Sequence, residues 1–267
     1  MAVDLIYKHQ QKNILIDERR IKIKCFEVIM MNKNILENKK IIIFDMDGTL
    51  IDSIGVWNEV DIATVEFYTG TRPSEEEVNK LRDYSLANSP DTDIYRYYIS
   101  KLCEKYNIHE NVDTVYEKRR WFGDEIPKRN VKLKNNVKEL LTILKEKGYI
   151  LALATTTTLG KIKIYSYENE NTKVVNFIET FDLILTKENV TNKKPHPEVL
   201  NKVLDHFSEK AENAIVFEDS YVGVLAAKNA GIEVVAVYDK YSDYEREKIN
   251  ELADYKIDDF KEIIDII

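Results

Sequence analysis

From Lys40 onward the chain alternates short apolar runs with amphipathic helical segments. The runs are Ile41–Phe44, Ile150–Ala154, Leu183–Leu185, Ala214–Phe217 and Val234–Val237. Their length and composition are typical of strands that are buried on both faces. Helical segments separate the last four runs, and one of them, VKELLTILKEKG, carries its leucines on one face and ends at Gly148. Strands that alternate with helices predict an α/β fold with a parallel sheet and right-handed crossovers.

A long segment without a comparable strand signal follows the first run. Between Ile54 and Lys128 the sequence shows four helical patterns: VWNEVDIATVEFY, SEEEVNKLRDY, DIYRYYISKLCEKY and ENVDTVYEKRRWF. This segment is too long for a simple crossover and too structured for a loop. We therefore expect a smaller, all-helical cap domain at residues 54–128 and a core domain at residues 40–53 and 129–267. Residues 1–39 are then an extension, to which we assign no catalytic role.

Charge and composition restrict the partners of the chain. The 267 residues carry a formal net charge of −8, which argues against duplex DNA or an anionic membrane as the main partner. The four histidines and two cysteines are scattered, which argues against a zinc site. Hydrophobic residues make up 44% and charged residues 32% of the chain, as in an ordinary globular protein. We expect a monomer or a weak homodimer.

The sequence also favours a cytoplasmic location. Cys25 and Cys103 form neither a CxxC pair nor a disulfide framework, which fits a reducing compartment. The first residues, MAVDLIYKHQQKN, turn polar too early for a signal peptide. No stretch is long and apolar enough to span a bilayer. We therefore expect no membrane association.

Polar side chains follow four of the predicted strands. They are, in chain order, Asp45 and Asp47, Thr155 and Thr156, Lys194, and Glu218 with Asp219. Because the carboxyl ends of parallel strands meet at one edge of a sheet, we expect these side chains to form one site. When two carboxylates lie so near each other at the end of a buried strand, they destabilise the fold by several kcal/mol if they are unpaired. A cation or a reacting group is therefore expected beside Asp45 and Asp47.

The chemistry that suits this set is phosphoryl transfer with Mg²⁺. Magnesium takes oxygen ligands from one or two carboxylates, water and phosphate, for which Asp45 and Asp219 are suited. Asp45 would attack phosphorus and form an aspartyl-phosphate. Asp47 would protonate the leaving oxygen and then accept a proton from the attacking water. Lys194 and Thr155 would hold the phosphate oxygens.

Other residues near these positions are also candidates. Gly48 would let the backbone approach the phosphate and expose amide N–H groups to it. Lys193 competes with Lys194 for the same role, and we prefer Lys194 because it directly precedes Pro195. Further side chains of the helical segment could contact a substrate, and the sequence does not choose among them. They are Trp57, Glu59, Arg72, Arg82, Arg96, Arg119 and Arg120.

Four segments resemble sequence motifs of the haloacid dehalogenase (HAD) superfamily. FDMDGTLIDS looks like its first motif, LALATTTT like the second, KKPHPE like the lysine motif and VFEDSYVGVLAAKNAG like the acidic motif. The resemblance covers Lys40 to about Asp239. With the helical insertion after the first motif, it points to the subgroup of β-phosphoglucomutases and phosphoglycolate phosphatases. It implies an α/β, Rossmann-like core with a parallel sheet and a smaller, all-helical cap domain.

The resemblance also implies roles for individual residues and a Mg²⁺ cofactor. Asp45 matches the family's nucleophile and Asp47 its general acid and base. The residues expected to bind substrate are Gly48, Thr155, Thr156 and Lys194. The residues expected at the metal are Asp45, Asp47, Glu218 and Asp219.

The expected function is hydrolysis of a small phosphate monoester, such as a sugar phosphate or a related metabolite. A phosphomutase similar to β-phosphoglucomutase is the alternative, and it would use the same two aspartates. Dehalogenases and phosphonatases of the family lack an acid at the position of Asp47, which argues against those reactions. A non-catalytic binding protein is a further alternative, against which the intact catalytic positions argue.

Overall fold

The structure is a computed structural model that describes residues 34–90 and 93–267. Its core is a parallel sheet of six strands, which confirms the predicted fold class. In spatial order the strands are β5 (Leu183–Leu185), β4 (Ile150–Ala154), β1 (Ile41–Phe44), β6 (Ala214–Glu218), β7 (Glu233–Val237) and β8 (Tyr255–Ile257). All five predicted strands are present. The edge strand β8 was not predicted, because its sequence, YKI, is short and has a lysine at its centre.

The strand register brings the carboxyl ends of the central strands to one level. Phe44, at the end of β1, pairs with Leu153 on one side and with Phe217 on the other. The next residues along these three strands are therefore neighbours at the same edge of the sheet. This edge carries the predicted functional residues.

Helices cover both faces of the sheet. The apolar layer on one face packs against α6 (Val137–Glu146), α7 (Leu159–Tyr167), α8 (Phe177–Thr180) and α12 (Lys261–Ile264). The layer on the other face packs against α9 (Glu198–Phe207), α10 (Tyr221–Asn229) and α11 (Arg246–Leu252). Alternate residues of β1 serve the two layers: Ile42 and Phe44 face the first, and Ile41 and Ile43 face the second. Burial on both faces explains why the strands have uninterrupted apolar sequences.

A helical insertion follows β1, as predicted. It consists of α1 (Ile54–Thr69), α2 (Glu75–Ala87), α3 (Ile94–Tyr106), α4 (Val112–Glu125) and the short α5 (Pro127–Asn130). The insertion has an apolar cluster of its own, in which Val65, Tyr98, Leu102 and Val115 are fully buried. A separate cluster is what a second folding unit requires. The domain limits at residues 53/54 and 128/129 remain predictions.

The chain leaves and re-enters the core through a short antiparallel pair. Strand β2 (Ile51–Asp52) pairs with β3 (Lys132–Leu133), and Ile51 lies opposite Leu133. Two-residue strands give no periodic signal, so the sequence did not predict this pair. Because the two connections are adjacent, the insertion is held directly over the carboxyl edge of the sheet.

Two further predictions concern the ends of the chain and membranes. The predicted extension lies largely outside the described residues, but Ile35 and Leu36 are buried in the core. In the described part of the chain, no helix has the length and apolar character needed to cross a bilayer.

Candidate active site

A cavity of about 460 Å³ opens at the carboxyl edge of the sheet, beneath the helical insertion. It brings together most of the predicted site residues. Those that line it are Asp45, Asp47, Thr156, Lys193, Lys194, Glu218 and Asp219. The insertion contributes Ile54, Asn79 and Arg82, and the segment after β7 contributes Tyr241, Ser242 and Tyr244.

The loop after β1 fixes the first carboxylate. Asp45 continues the strand, since its N–H donates to the carbonyl oxygen of Phe217 at 3.0 Å. Gly48 then reverses the chain with a φ of +82°, a conformation that glycine adopts without strain. A Cβ at this position would lie 2.3 Å from Asp219 Oδ2, so the missing side chain makes room for that carboxylate. The N–H of Gly48 itself donates to Ile51 O at 2.9 Å, and the exposure of neighbouring amide groups to a phosphate remains a prediction.

Lys194 connects two of the buried carboxylates. Its Nζ donates to Asp45 Oδ1 and to Glu218 Oε1, both at 2.7 Å, and its side chain is 5% exposed. Burial opposes the charge of Lys194, but Asp45 and Glu218 outweigh burial and raise the pKa of the ammonium group. Lys194 is therefore a permanent cation at the site. The competing Lys193 is exposed, which supports the choice made from the sequence.

The acidic pair at the end of β6 is also buried. Glu218 Oε2 accepts hydrogen bonds from Ser220 N and Ser220 Oγ, each at 2.9 Å. A Cβ on Gly223 would lie 1.7 Å from Glu218 Oε1, so α10 can approach this carboxylate only with glycine there. Asp219 accepts hydrogen bonds from Thr49 Oγ1 at 2.9 Å and from Ser242 Oγ at 3.3 Å.

Asp47 lies outside this group of buried ions. Its carboxylate is partly exposed and accepts hydrogen bonds from two hydroxyls, Ser53 Oγ at 2.5 Å and Thr157 Oγ1. The neighbouring Thr155 is buried, and its Oγ1 accepts a hydrogen bond from Thr157 N at 3.1 Å. Thr156, by contrast, is exposed and lines the cavity.

The charge balance at the site fits a bound divalent cation. Burial raises the pKa of Asp45 to about 7, although Lys194 opposes this rise. Burial, followed by the charges of Glu218 and Asp45, raises the pKa of Asp219 as well. A cation bound beside these two buried carboxylates would stabilise their ionised forms and lower both pKa values.

The number of ligands is consistent with Mg²⁺. Within residues 34–90 and 93–267, no three His, Cys, Asp or Glu side chains are arranged to hold one metal ion. Magnesium needs only one or two protein carboxylates, because water and phosphate oxygens complete its shell. Asp45 and Asp219 can supply that pair, because Asp45 gives only Oδ1 to Lys194, whereas Glu218 gives one oxygen to Lys194 and the other to Ser220.

The helical insertion presents one arginine to the cavity. Arg82 lines it, and its NH1 donates to Asp61 Oδ2 at 2.9 Å. Asp61 is fully buried and also accepts from Arg119 Nε at 2.6 Å. The other candidates from the insertion are not among the residues that line the cavity. Glu59, for example, pairs with Arg72 at 2.6 Å.

The sequence did not indicate every residue of the cavity wall. Asn79, Tyr241, Ser242 and Tyr244 line it but belong to no motif that we identified. Gly55 nevertheless indicates, by its lack of a side chain, that another group packs closely there, and that group is Tyr241. A Cβ there would lie 2.1 Å from the Tyr241 hydroxyl oxygen, so any other residue in the first turn of α1 would displace the phenol.

Comparisons with known proteins agree with this arrangement. A family model described as haloacid dehalogenase-like hydrolase matches residues 42–237. A phosphorylated carbohydrates phosphatase of Thermotoga maritima is 30% identical over 192 residues, which are 72% of this chain and 82% of that protein. The pyrophosphatase PpaX of Anoxybacillus flavithermus is 28% identical over 205 residues, which are 75% of this chain and 84% of that protein.

A solved structure has the same fold. It belongs to a Thermotoga maritima protein whose β-phosphoglucomutase identity is itself a prediction. The two structures share a TM-score of 0.70 and 27% sequence identity, over 85% of this chain and 97% of that one. With motifs, fold, site geometry and relatives in agreement, the chain belongs to the haloacid dehalogenase-like hydrolases.

Proposed function

We propose that this HAD phosphatase is Mg²⁺-dependent and hydrolyses a small phosphorylated metabolite, such as a sugar phosphate, through an aspartyl-phosphate. The observation that carries the proposal is the arrangement around Lys194, whose Nζ lies 2.7 Å from both Asp45 and Glu218. This arrangement offers a nucleophile, a fixed cation for phosphate oxygens and, with Asp219, a carboxylate pair for a metal. Phosphoryl transfer needs little more than positioning and charge stabilisation.

The reaction would proceed in two steps at Asp45. In the first, the Asp45 carboxylate attacks phosphorus, and the bond from phosphorus to the substrate's ester oxygen breaks as Asp47 protonates that oxygen. In the second, Asp47 takes a proton from a water molecule, whose oxygen attacks the phosphorus of the aspartyl-phosphate. Inorganic phosphate leaves and the Asp45 carboxylate is regenerated.

Each of the other residues has a defined task in these steps. Lys194 would bind the phosphoryl oxygens as negative charge spreads over them. Ser53 and Thr157 would hold Asp47 beside the leaving oxygen. Asp45 and Asp219 would hold Mg²⁺, which supplies positive charge that stabilises the anionic phosphoryl group when it is bound.

The wall contributed by the helical insertion supports a phosphorylated metabolite as the substrate. Arg82 presents a cation there, and a guanidinium group is suited to the hydroxyl or acidic groups of such a molecule. The similar Thermotoga maritima protein acts on phosphorylated carbohydrates, according to its name. We extend that substrate class to this chain.

A phosphomutase is the second candidate, supported by the similarity to the Thermotoga maritima structure with a predicted β-phosphoglucomutase identity. A mutase would return the phosphoryl group to another hydroxyl of the sugar. The two functions are separated by incubation with β-glucose 1-phosphate. A mutase accumulates glucose 6-phosphate without releasing inorganic phosphate, whereas a phosphatase releases phosphate.

The central test is turnover of p-nitrophenyl phosphate and of a panel containing sugar phosphates, phosphoglycolate and pyrophosphate, with and without MgCl₂. We expect hydrolysis that requires the metal and is lost in Asp45→Asn, by at least about 10⁴-fold, because the nucleophile is removed. Asp52→Asn is the matched control, since Asp52 is exposed and lies outside the cavity. Metal-independent turnover, or an active Asp45→Asn variant, contradicts the proposal.

A further inference from the structure

Tyr241 is a core residue that contacts the helical insertion at the edge of the cavity. It lies in the turn Lys240–Glu245, after β7, and its N–H donates to Asp239 Oδ1 at 2.9 Å. Asp239 is itself held by Lys134 Nζ at 2.8 Å. The backbone of Tyr241 is therefore fixed to the core.

The phenol of Tyr241 reaches across to the first two helices of the insertion. Its hydroxyl passes over Gly55, where a Cβ would lie only 2.1 Å away, and donates to Glu75 Oε1 at 2.6 Å. Gly55 is in the first turn of α1 and Glu75 is the first residue of α2. One phenol thus contacts both helices close to where the chain enters the insertion.

Two further hydrogen bonds connect Glu75, through Asn58, with the arginine that lines the cavity. Asn58 is buried, and its Nδ2 donates to Glu75 Oε1 at 2.9 Å. Asn58 Oδ1 accepts from Arg82 NH2 at 2.6 Å. Because the amide nitrogen of Asn58 donates and its oxygen accepts, the two hydrogen bonds define which way the amide is turned.

The Tyr241–Glu75 hydrogen bond needs a protonated hydroxyl as donor and a carboxylate as acceptor, and the pKa shifts favour both states. The hydrogen bonds from Tyr241 and Asn58 lower the pKa of Glu75, which keeps it a carboxylate. Burial, together with Glu75, raises the pKa of Tyr241, which keeps its hydroxyl protonated. The bond is therefore charge-assisted, which makes it stronger than one between neutral groups.

The place of this bond distinguishes it from two other polar contacts between the core and the insertion. Lys161 pairs with Asp124 at 2.7 Å, and Asn169 Nδ2 donates to Pro127 O at 2.6 Å. Both of these contacts hold the end of the insertion, where the chain returns to the core. Arg82, in contrast, belongs to α2, the helix that Tyr241 contacts through Glu75.

We propose that Tyr241 is a positioning residue that sets the distance between Arg82 in the insertion and the phosphoryl site at Asp45. Residues of the insertion, including Asn58 and Asp61, already fix Arg82 within that unit. What Tyr241 adds is the placement of the unit over the core. This inference rests on the proposed phosphatase function, because it assigns the consequence of that placement to substrate turnover.

The test compares Tyr241→Phe, which removes only the hydroxyl, with wild-type protein. For the best substrate of the panel, kcat/KM should fall about tenfold, the usual effect of losing one hydrogen bond to a charged group. Hydrogen exchange at Gly55–Trp57 and Glu75–Val78 should become faster. Tyr238→Phe is the matched control, because its hydroxyl bonds Asp243 at 3.2 Å within the same part of the core.

A second variant tests the bond from the other side. Glu75 is exposed, so Glu75→Ala retains the fold; its loss in kcat/KM should be at least that of Tyr241→Phe, because it also removes the acceptor of Asn58 Nδ2. If Tyr241 acts through Glu75, the double variant should lose little more than Glu75→Ala alone, within about twofold. Additive losses contradict the inference.

The remaining outcomes also decide the question. Unchanged exchange at Gly55 and Glu75 in Tyr241→Phe overturns the inference, as does faster exchange with unchanged kcat/KM. An equal loss in Tyr238→Phe also overturns it. If wild-type protein hydrolyses no substrate, the proposed function fails, and exchange alone then decides whether Tyr241 places the insertion.

Discussion

Two groups of buried ion pairs contribute to the walls of the cavity, and their charge balance is opposite. In the core, Lys194 is bound to two carboxylates, Asp45 and Glu218, and Asp219 lies beside them. In the helical insertion, one carboxylate, Asp61, is bound to two arginines, Arg82 and Arg119. The core group therefore has excess negative charge and the insertion group excess positive charge.

The difference separates a reactive group from a structural one. In the core, burial raises the pKa of Asp45 to about 7, so the carboxylate is poorly stabilised as an anion until another cation arrives. In the insertion, Asp61 is fully buried but receives two guanidinium groups at 2.9 and 2.6 Å. A buried ion costs little when it is fully paired and several kcal/mol when its partner is removed. Substitutions in the core should therefore change rates, and substitutions at Asp61 should change stability.

After the loss expected for Asp45→Asn, the largest expected effect is also on the rate, at Asp47. Asp47→Asn should slow both formation and hydrolysis of the aspartyl-phosphate by roughly 10²–10⁴-fold, the usual range for general acid–base catalysis. Because Asp47 accepts hydrogen bonds from hydroxyls and has no ion-pair partner within residues 34–90 and 93–267, the free energy of unfolding should hardly change. Single-turnover kinetics and urea unfolding measure the two effects. Normal turnover in the variant would show that Asp47 is not the acid and base.

The next effect is on stability, at Asp61. Asp61→Asn leaves Arg82 and Arg119 buried without a counter-charge and should lower the free energy of unfolding by about 3–5 kcal/mol. The control is Asp113→Asn, which breaks the exposed Arg96–Asp113 pair and should cost less than about 1 kcal/mol. Urea unfolding of both variants checks the difference. Equal losses would mean that the pairing of Asp61 is no more important than a surface ion pair.

The fold could be predicted from the sequence where local signals were strong. Continuous apolar runs identified the four inner strands and the edge strand β5, and helical periodicity identified the insertion. Strand β8 was missed because a lysine interrupts its three residues, and the β2–β3 pair was missed because strands of two residues have too few positions to show a period. Their place is determined by tertiary packing, as Ile257 shows by being buried in the core cluster.

The site could be predicted only in its core half. Asp45, Lys194, Glu218 and Asp219 follow strands or precede a helix, so the topology of a parallel sheet brings them together. Arg82 could not be chosen from five arginines, because its position depends on how the helices of the insertion pack. The space that Gly48 leaves for Asp219 could not be predicted for a similar reason, because Asp219 is 171 residues away in sequence.

The smallest expected effect is the stabilisation of the protein by Mg²⁺. It tests the comparison most directly, because Mg²⁺ supplies the positive charge that the core group lacks. The raised pKa of Asp45 means that the folded protein retains a proton that the unfolded chain loses near pH 4. The contribution of Asp45 to the stability of the metal-free protein should therefore fall as the pH rises from about 4 to about 7. Mg²⁺ competes with that proton for Asp45, so it should stabilise the protein more at pH 8 than at pH 5.

With MgCl₂ at many times its dissociation constant, the melting temperature at pH 8 should rise by roughly 3–8 °C, as expected for a ligand that binds only the folded state. Thermal unfolding at pH 5 and pH 8, with and without the metal, measures this dependence. In Asp45→Asn the rise at pH 8 should be smaller, because one ligand and its charge are gone. Asp113→Asn is the control: Asp113 is exposed and does not line the cavity, so this variant should respond as wild type does. A shift that is equal at the two pH values, or larger at pH 5, would mean that the excess negative charge of the core group is not what binds the metal.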